Sequence, residues 1–238
     1  KDSDFWIGMQ SLFSLNFAQS MGCYKPVYTL LTQQGGVAVP QLLGADSASD
    51  EFSGFLCTTK LPGTVLCEEQ VTDSMVEQLA EHLARLHQDQ NGFFGPAFNP
   101  CSSAKEWWPK VFKSIRLLAE RRGVELSIID FESEQACPDV FVPILPDLRW
   151  DQFLTDSNKL TGLVDLDAVV YGARELEFVL LEFLLSEQQA GVFKNVYEGY
   201  QPIPDLTVCR EPYRWLLFFM NVLGEQSHDA CMQAPMRF

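Results

Sequence analysis

Basic residues are scarce in this chain of 238 residues. It has 17 lysines and arginines against 32 aspartates and glutamates, which gives a formal net charge of -15. The resulting negative field repels phosphate backbones and anionic membrane surfaces, so we expect no nucleic-acid binding. An anionic ligand would need a local counter-charge, such as a metal ion.

Long hydrophobic runs are missing as well. The strongly apolar run at residues 215–220 (WLLFFM) is far shorter than the roughly 20 residues that a membrane helix needs. No basic and then apolar leader follows Lys1. These absences predict a cytoplasmic protein with no membrane partner.

Closely spaced cysteines are also lacking. The cysteines are odd in number, scattered and never as close as the CxxC spacing. They are Cys23, Cys57, Cys67, Cys101, Cys137, Cys209 and Cys231. This distribution fits neither a disulfide framework nor a structural zinc site. We expect reduced and mostly buried thiols, as in a cytosolic protein.

Apolar residues, by contrast, are plentiful. Hydrophobic residues make up 47% of the chain, including 18 phenylalanines, which excludes a disordered chain. A chain of this length can bury a sizeable core in one large domain or two unequal lobes. Pro62 and Gly63 follow a predicted strand at residues 52–59 (FSGFLCTT). They indicate a boundary between a small lobe at 1–62 and a larger lobe at 63–238.

Helical periodicity dominates the predicted larger lobe. Ser74 and Glu77 form a capping box, and apolar residues recur behind them at helical spacing. This pattern predicts a helix that ends near His87. Further helices are predicted at 5–34, at about 105–122, at 176–186 and from Pro212 onward.

A β-hairpin pattern surrounds the polar pair Ser157-Asn158. Antiparallel pairing from a turn centred on that pair places Gln152 opposite Leu163. The open end of the hairpin then brings Gln152 and Asp165 together, with Asp147 in the loop just upstream.

Two carboxylates and an amide oxygen in this arrangement suit Mg²⁺, which prefers one or two carboxylates plus phosphates and water. Phosphoryl transfer needs mainly positioning and charge neutralisation. We therefore interpret Asp147 as the residue that orients or deprotonates an acceptor hydroxyl, and Gln152 and Asp165 as metal ligands.

The same carboxylates fit a simpler interpretation. Acidic residues that flank a hairpin are commonly solvated turn residues, as we expect for Asp151 and Asp156. Asp167 is an alternative to Asp165 as a metal ligand, although it lies further from the strand end. From the residues alone, both interpretations stay open.

Two segments resemble a known family. Residues 147–153 (DLRWDQF) and 162–185 (GLVDLDAVVYGARELEFVLLEFLL) are similar to the catalytic and metal-binding segments of fructosamine (ketosamine) kinases, within the aminoglycoside and choline phosphotransferase superfamily. The family patterns are His-Gly-Asp-Leu-Trp-x-x-Asn and Asp-Pro-Ala-x-x-x-Gly-x-x-Glu-x-Asp-Leu-Ala. The resemblance extends from about Val37 to Leu223. It implies an α+β, protein-kinase-like fold of two lobes, with a small, apparently incomplete N-lobe and a mainly helical C-lobe.

The resemblance also implies roles for individual residues. Asp147 matches the catalytic Asp, Gln152 the metal-binding Asn and Asp165 the metal-binding Asp. Glu175 matches the acidic residue after the glycine and Glu177 replaces the following Asp, although either could simply cap the next helix. The hinge whose backbone faces the adenine corresponds to Thr58, Thr59, Lys60 and Leu61.

The chain departs from the family pattern at several positions. The His-Gly before the catalytic Asp is Leu145-Pro146, and the metal-binding Asn is Gln152. The region expected to hold a helix glutamate, residues 23–29 (CYKPVYT), contains no acid, and no glycine-rich phosphate loop precedes it. Lys1 and, less well, Lys25 are candidates for the strand lysine that would pair with that glutamate.

Two functions therefore stay open. The first is an ATP-dependent, Mg²⁺-requiring phosphotransferase that acts on a hydroxyl of a sugar- or amine-containing small molecule; the acidic surface would tolerate a cationic acceptor. The second is a catalytically degenerate kinase-fold protein, a pseudokinase that binds a nucleotide or a partner without turnover. The sequence predicts neither the acceptor nor the oligomeric state.

Overall fold

The computed structural model describes residues 3–124, 137–224 and 226–238. The α-helices in these ranges are α1 (Asp4–Phe13), α2 (Phe17–Ser20), α3 (Lys25–Gln34), α4 (Asp73–Leu86), α5 (Trp107–Arg121), α6 (Arg174–Leu184), α7 (Glu187–Tyr197), α8 (Arg210–Phe219) and α9 (His228–Met232). The strands are β1 (Leu42–Asp46), β2 (Phe55–Thr58), β3 (Thr64–Val65), β4 (Phe93–Pro96), β5 (Ser102–Ser103), β6 (Val142–Ile144), β7 (Phe153–Asp156), β8 (Lys159–Leu163) and β9 (Val170–Gly172).

Three small antiparallel sheets accompany the helices. β1 pairs with β2, a second sheet has the order β3-β7-β8, and a third has the order β5-β4-β9-β6. The second sheet joins the segment after the predicted hinge to the predicted metal-site hairpin. The third sheet carries β6, the strand that leads into the loop with Asp147. Sheet pairing therefore brings the separate parts of the predicted site to one region.

Amphipathic helices form most of the core of the larger lobe. α4 packs against α7, and α5 and α6 pack against α8. On α4, Val76, Leu79 and Leu83 are fully buried, because residues three and four apart share one helix face. No helix in the described ranges combines the length and the apolar character needed to cross a membrane.

An aromatic cluster centres on Trp107 at the start of α5. The Trp107 ring lies 4.9 Å from Phe94 and 5.3 Å from Phe141, measured between centroids. Its indole N–H donates a hydrogen bond of 2.8 Å to the Tyr213 hydroxyl. The cluster ties the third sheet to α5 and α8, and a buried indole is well accommodated because its polar atom has a partner.

The first helix packs on the second lobe. α1 contacts α5, and the Phe13 ring lies 5.9 Å from that of Trp107. Arg122 donates from Nε to Asp4 at 2.9 Å. The sequence places α1 in the small lobe (1–62) and α5 in the larger lobe (63–238), so these contacts cross the predicted boundary. The boundary itself stays a prediction.

Two local expectations are wrong. The N-cap of α4 is Thr72, whose hydroxyl accepts from the Met75 N–H, in place of Ser74. Thr72 is the N-cap because its backbone is extended, so its side-chain oxygen can reach the free N–H groups of the first turn. The thiols are free, but only Cys209 and Cys231 are buried and the other five are exposed. The core consists mostly of larger apolar side chains, and five of the cysteines lie outside it.

We expect Leu79→Ala to lower the free energy of unfolding by about 2–5 kcal/mol, because a fully buried leucine leaves a cavity when it is shortened. Glu77→Ala on the exposed face of α4 is the matched control and should change stability by less than about 0.5 kcal/mol. Urea titrations of both variants measure the difference. Equal losses for the two variants would contradict the packing of α4.

Candidate active site

β7 and β8 form the predicted hairpin. The pair Ser157-Asn158 has positive φ at both residues, 52° and 65°, as the favoured two-residue hairpin turn requires. The predicted register is wrong by one residue: Leu163 pairs with Phe153 and not with Gln152. The reason is a bulge, because Thr161 is inserted between the pairings of Leu160 and Gly162.

Asp165 lies just beyond the end of β8. The Val164 N–H donates to the Gln152 carbonyl at 2.9 Å, which is the last contact along this edge of the hairpin. Asp165 then adopts the left-handed backbone conformation, with φ 63°, which aspartate tolerates better than most residues. The chain leaves the sheet here and carries Asp165 and Asp167 to the loop with Asp147.

Three carboxylates meet at this point. Asp147, Asp165 and Asp167 each offer an oxygen, and these oxygens lie within 4.8 Å of one another. Asp147 is buried, Asp165 is exposed and Asp167 is intermediate. Burial, with further contributions from Asp167 and Asp165, raises the pKa of Asp147 to about 7. The sequence alternatives Asp165 and Asp167 are therefore both present in one cluster.

Gln152 contacts Asp147 directly. Its amide nitrogen donates to the carboxylate Oδ2 of Asp147 at 3.2 Å and to the Asp147 carbonyl at 3.1 Å. Its amide oxygen accepts from the Arg149 N–H at 3.1 Å. The structure thus brings Gln152 to the carboxylate cluster, with the nitrogen side of its amide facing Asp147. Its role as a metal ligand stays a prediction.

A buried hydrogen-bond network holds the loop before Asp147. Glu177 on α6 accepts from the Leu145 N–H at 2.7 Å through one carboxylate oxygen. Its other oxygen lies 2.7 Å from Nε2 of His87, at the end of α4. Nδ1 of His87 lies 2.7 Å from the Tyr197 hydroxyl, and His87 and Glu177 are fully buried. This network fixes the backbone of the loop at Leu145, two residues before Asp147.

Sequence reasoning missed the role of Glu177 and His87. The family pattern matches Glu177 to the Asp that follows its conserved acid, with a helix cap as the alternative, and no signal in the sequence pairs Glu177 with His87. A signal did exist in the composition of α6, where an acid falls within a nearly continuous apolar run. A charged residue buried in such a run requires a polar partner. The partner itself lies 90 residues away in the chain, which only packing could reveal.

A cleft of about 550 Å³ adjoins the carboxylates. The predicted hinge residues Thr58, Thr59, Lys60 and Leu61 line this cleft. Asp165 and Asp167 line it as well, together with Phe17 and Tyr28 from the N-terminal segment. The predicted hinge and the predicted metal ligand Asp165 therefore share one cavity.

Two tyrosines of the N-terminal segment, which the sequence analysis did not single out, stand beside the carboxylates. The Tyr24 hydroxyl donates to the Asp167 carbonyl, and Tyr24 is fully buried. Burial and the charge of Asp167 raise the pKa of both Tyr24 and Tyr28. Both hydroxyls therefore stay protonated at neutral pH and can serve as hydrogen-bond donors.

The lysines that could serve a nucleotide lie at different positions in the structure. Lys1 lies outside the described residues. Lys25 begins α3 and is exposed, and no ion pair to it is present in the described part of the chain. Lys60 lines the cleft with the hinge and is exposed. It is the lysine among the described residues that line this cleft.

The carboxylate cluster fits Mg²⁺. The ion prefers hard oxygen ligands, usually one or two carboxylates with phosphates and water completing the shell. The three carboxylates each place an oxygen within 4.8 Å of the others, so they create a local negative charge that a cation would neutralise. Burial and then the neighbouring Asp167 and Asp165 raise the pKa of Asp147 at this position. Asp165 and Asp167 also line the cleft where phosphates would enter.

A family model described as "Phosphotransferase enzyme family" matches residues 9–212, which is most of the chain. The chain belongs to this family. The predicted enzyme class, a phosphotransferase, and the predicted superfamily are confirmed. Among curated proteins, none matches the chain at a significant level.

Solved phosphotransferase structures share the fold of this family member. The GDP complex of wild-type aminoglycoside 2'-phosphotransferase-IIIa is 20% identical, has a TM-score of 0.59 and aligns over 87% of this chain and 74% of that chain. Macrolide 2'-phosphotransferase MphH from Brachybacterium faecium, as apoenzyme, is 15% identical, with a TM-score of 0.52 over 90% of this chain and 80% of that chain.

A third structure is a ternary complex of a thermostable mutant of aminoglycoside phosphotransferase APH(4)-Ia with AMP-PNP and hygromycin B. It is 16% identical, has a TM-score of 0.55 and aligns over 85% of this chain and 74% of that chain. At these identities the likeness shows the fold alone. It confirms the predicted kinase-like α+β architecture of the phosphotransferase.

We expect Glu177→Leu to destabilise the phosphotransferase by about 1–3 kcal/mol for each buried polar group that loses its partner, namely the Leu145 N–H and the His87 ring. Glu175→Leu, two positions earlier on α6, removes an equal charge at a less buried position and is the control. Urea unfolding measures both. A Glu177 variant as stable as the control would contradict the anchoring role.

The pKa of Asp147 predicts a pH dependence of stability. An unfolded Asp titrates at about 4, and the folded Asp147 at about 7. Between these values the folded protein keeps a proton that the unfolded chain has lost, so rising pH lowers stability through this window. Asp147→Asn lacks this titration.

In metal-free buffer, the stability of the wild type minus that of Asp147→Asn should therefore fall between about pH 4 and about pH 7 and stay level above about pH 8. Chemical unfolding of both proteins across this range measures the difference. A difference that rises with pH would mean that the folded carboxyl is more acidic than the unfolded one.

Proposed function

We propose that the protein is an ATP- and Mg²⁺-dependent kinase that transfers the γ-phosphoryl group to a hydroxyl of a small molecule. One observation carries this proposal: the carboxylates of Asp165 and Asp167 line the same cleft as the hinge residues 58–61, with the buried Asp147 in contact range of both carboxylates. A nucleotide whose base meets the hinge would direct its phosphates toward these acids.

Asp147 acts as the base in this proposal. The acceptor oxygen bonds to the γ-phosphorus, the bond between that phosphorus and the β–γ bridging oxygen of ATP breaks so that this oxygen leaves with ADP, and the hydroxyl proton passes to the Asp147 carboxylate. A pKa of about 7 suits this role because a base is most effective when its pKa lies near the working pH. The amide nitrogen of Gln152, 3.2 Å from Oδ2, holds the carboxylate in place.

Asp165 and Asp167 would hold the metal. The family pattern predicts Gln152 as a further ligand, although its amide oxygen accepts from the Arg149 N–H in this structure. When bound, Mg²⁺ supplies the positive charge that neutralises the phosphates. The chain itself orients these acids: the left-handed backbone at Asp165 and the Tyr24 hydrogen bond to the Asp167 carbonyl position the two residues.

We also propose a class of acceptor. The segments 147–153 and 162–185 resemble fructosamine kinases, which supports a sugar- or amine-containing metabolite as the acceptor. The structural neighbours include one with GDP and one with AMP-PNP and hygromycin B, which supports a nucleotide and a small hydroxylated molecule as the two substrates. We place this activity in the cytoplasm.

The hydrogen bond to Glu177 argues against the alternative function, a catalytically degenerate pseudokinase. The departure at Leu145-Pro146 removes the family histidine, but the Leu145 N–H has a buried carboxylate partner. The loop that holds Asp147 therefore keeps an anchor of its own. This favours an active enzyme over a protein that only binds a nucleotide.

Two substitutions separate nucleotide binding from transfer. Asp165→Asn should abolish the thermal stabilisation that ATP gives in the presence of Mg²⁺, because it replaces a negatively charged carboxylate that would bind the metal with a neutral amide. Asp147→Asn should keep that stabilisation and lower turnover by about 10²-fold or more, the contribution typical of a general base.

Asp156→Asn, in the exposed hairpin turn, is the matched control and should behave as the wild type. Thermal unfolding with ATP, with and without Mg²⁺, and release of ADP in the presence of acceptor mixtures are the measurements. Stabilisation by ATP without any turnover would favour the nucleotide-binding pseudokinase. No stabilisation of the full-length protein by ATP would overturn the kinase proposal.

A further inference from the structure

We propose that the hydroxyl of Tyr28 is a phosphate-binding group, which donates a hydrogen bond to the phosphate chain of the nucleotide. This inference rests on the proposed function, because it adds a binding residue to the same cleft. Tyr28 lies on α3 and lines the cleft together with Asp165 and Asp167. It lies outside the two segments, 147–153 and 162–185, that resemble the catalytic and metal-binding segments of the family.

Tyr28 provides the side-chain donor at the acidic end of the cleft. The described residues that line the cleft include the hinge residues 58–61, and Lys60 is the cation among them. Outside the hinge, the described lining consists of apolar residues, a glycine, the two aspartates and Tyr28. When the aspartates are ionised, only Tyr28 in this part of the lining carries a side-chain O–H or N–H group. A phosphate oxygen that enters there would meet this one side-chain donor.

The negative charges at this end favour a neutral donor. Phosphate oxygens and the carboxylates of Asp165 and Asp167 repel one another unless a cation or a donor lies between them. A hydrogen bond to a charged oxygen is stronger than one between two neutral groups. An ammonium group at the same position would attract the two carboxylates and compete with a metal ion for them, whereas a hydroxyl leaves them free to bind the metal.

Packing fixes the position of Tyr28 relative to the acids. Tyr24 and Tyr28 are both buried and lie four residues apart, so they share one helix face at the start of α3. The Tyr28 N–H donates to the Tyr24 carbonyl at 3.2 Å. The Tyr24 hydroxyl donates to the carbonyl of Asp167. One helical turn therefore connects Tyr28 to the loop that carries the carboxylates.

The Tyr28 hydroxyl is available to a ligand. The residue is only 8% exposed, so packing holds its ring. Within the described part of the chain the hydroxyl has no hydrogen-bond partner, and it is not one of the fully buried polar atoms. An ordinary tyrosine titrates at about 10, and burial, followed by the charges of Asp167 and Asp165, raises the pKa of Tyr28. The hydroxyl therefore keeps its proton at neutral pH and can donate it in a hydrogen bond.

Tyr28 also lies in a segment that departs from the family pattern. Residues 23–29 contain no acid, although the resemblance predicts a helix glutamate there. A glutamate would add a further negative charge near a cleft that already contains Asp165 and Asp167. This segment brings a neutral donor to the cleft in place of an acid that would need a lysine partner.

Removal of the hydroxyl tests the assignment. Tyr28→Phe keeps the ring and removes the donor, so AMP-PNP with Mg²⁺ should bind about 10-fold or more weakly, the effect of one hydrogen bond to a charged group. Tripolyphosphate with Mg²⁺, which has the phosphates without the nucleoside, should lose a similar factor. Adenosine, which has no phosphate, should bind the variant and the wild type equally. Calorimetry on the full chain, by competition for the weaker binders, measures these affinities.

Tyr200→Phe is the matched control. The Tyr200 hydroxyl donates to Glu81 at 3.3 Å on the protein surface, and Tyr200 is not part of the cleft lining. This variant should bind every probe as the wild type does. Mn²⁺ alone, followed by electron paramagnetic resonance, should bind Tyr28→Phe as tightly as the wild type, because the hydroxyl contacts the phosphates and not the metal. Unchanged binding of AMP-PNP by Tyr28→Phe, an equal loss for adenosine, or weaker binding of Mn²⁺ alone would overturn the inference.

Turnover separates this inference from the proposed function. If AMP-PNP binding depends on Tyr28 but ATP with acceptor mixtures releases no ADP, the phosphate contact is supported and the kinase activity is overturned. If the wild type and Tyr28→Phe transfer phosphate with equal kinetic constants, the kinase activity is supported and the contact is overturned. If neither AMP-PNP nor tripolyphosphate binds the wild type, both are overturned.

Discussion

The carboxylate of Glu177 holds three parts of the chain at once. From α6 it accepts the Leu145 N–H with one oxygen and contacts His87 of α4 with the other. A buried carboxylate is costly unless both oxygens are satisfied, so the position of the loop and the end of α4 are coupled through it. Because Asp147 follows two residues after Leu145, the geometry of the proposed base depends on this contact.

Close to this satisfied carboxylate, three other carboxylates lie near one another and repel each other. Asp147, Asp165 and Asp167 bring three acidic oxygens within 4.8 Å of one another. The fold tolerates this repulsion because Asp165 is exposed and Asp147 can stay protonated at a pKa of about 7. At neutral pH Asp147 is therefore divided between its protonated and its ionised form, and a cation bound beside it would favour the ionised one.

Two of the departures from the family pattern, at Leu145-Pro146 and at Gln152, have local compensations. Leu145-Pro146 leaves the loop without a histidine, and Glu177 with His87 supplies the anchor. Gln152 has one methylene more than asparagine, and it uses that length to donate to the Asp147 carboxylate while accepting from Arg149. The polar contacts of the loop thus remain complete, although the residues that make them have changed.

The sequence by itself determined the features that depend on neighbouring residues. These are the amphipathic helices and the hairpin turn at Ser157-Asn158. The roles of Asp147 and Asp165 as site residues stay a prediction from the sequence, although their carboxylates lie in one cluster. Only the tertiary structure decided the bulge at Thr161, the presence of Asp167 in the cluster, and the pairing of Glu177 with His87. Turn and helix preferences act over a few residues, whereas the partner of a buried charge is chosen by packing across the whole chain.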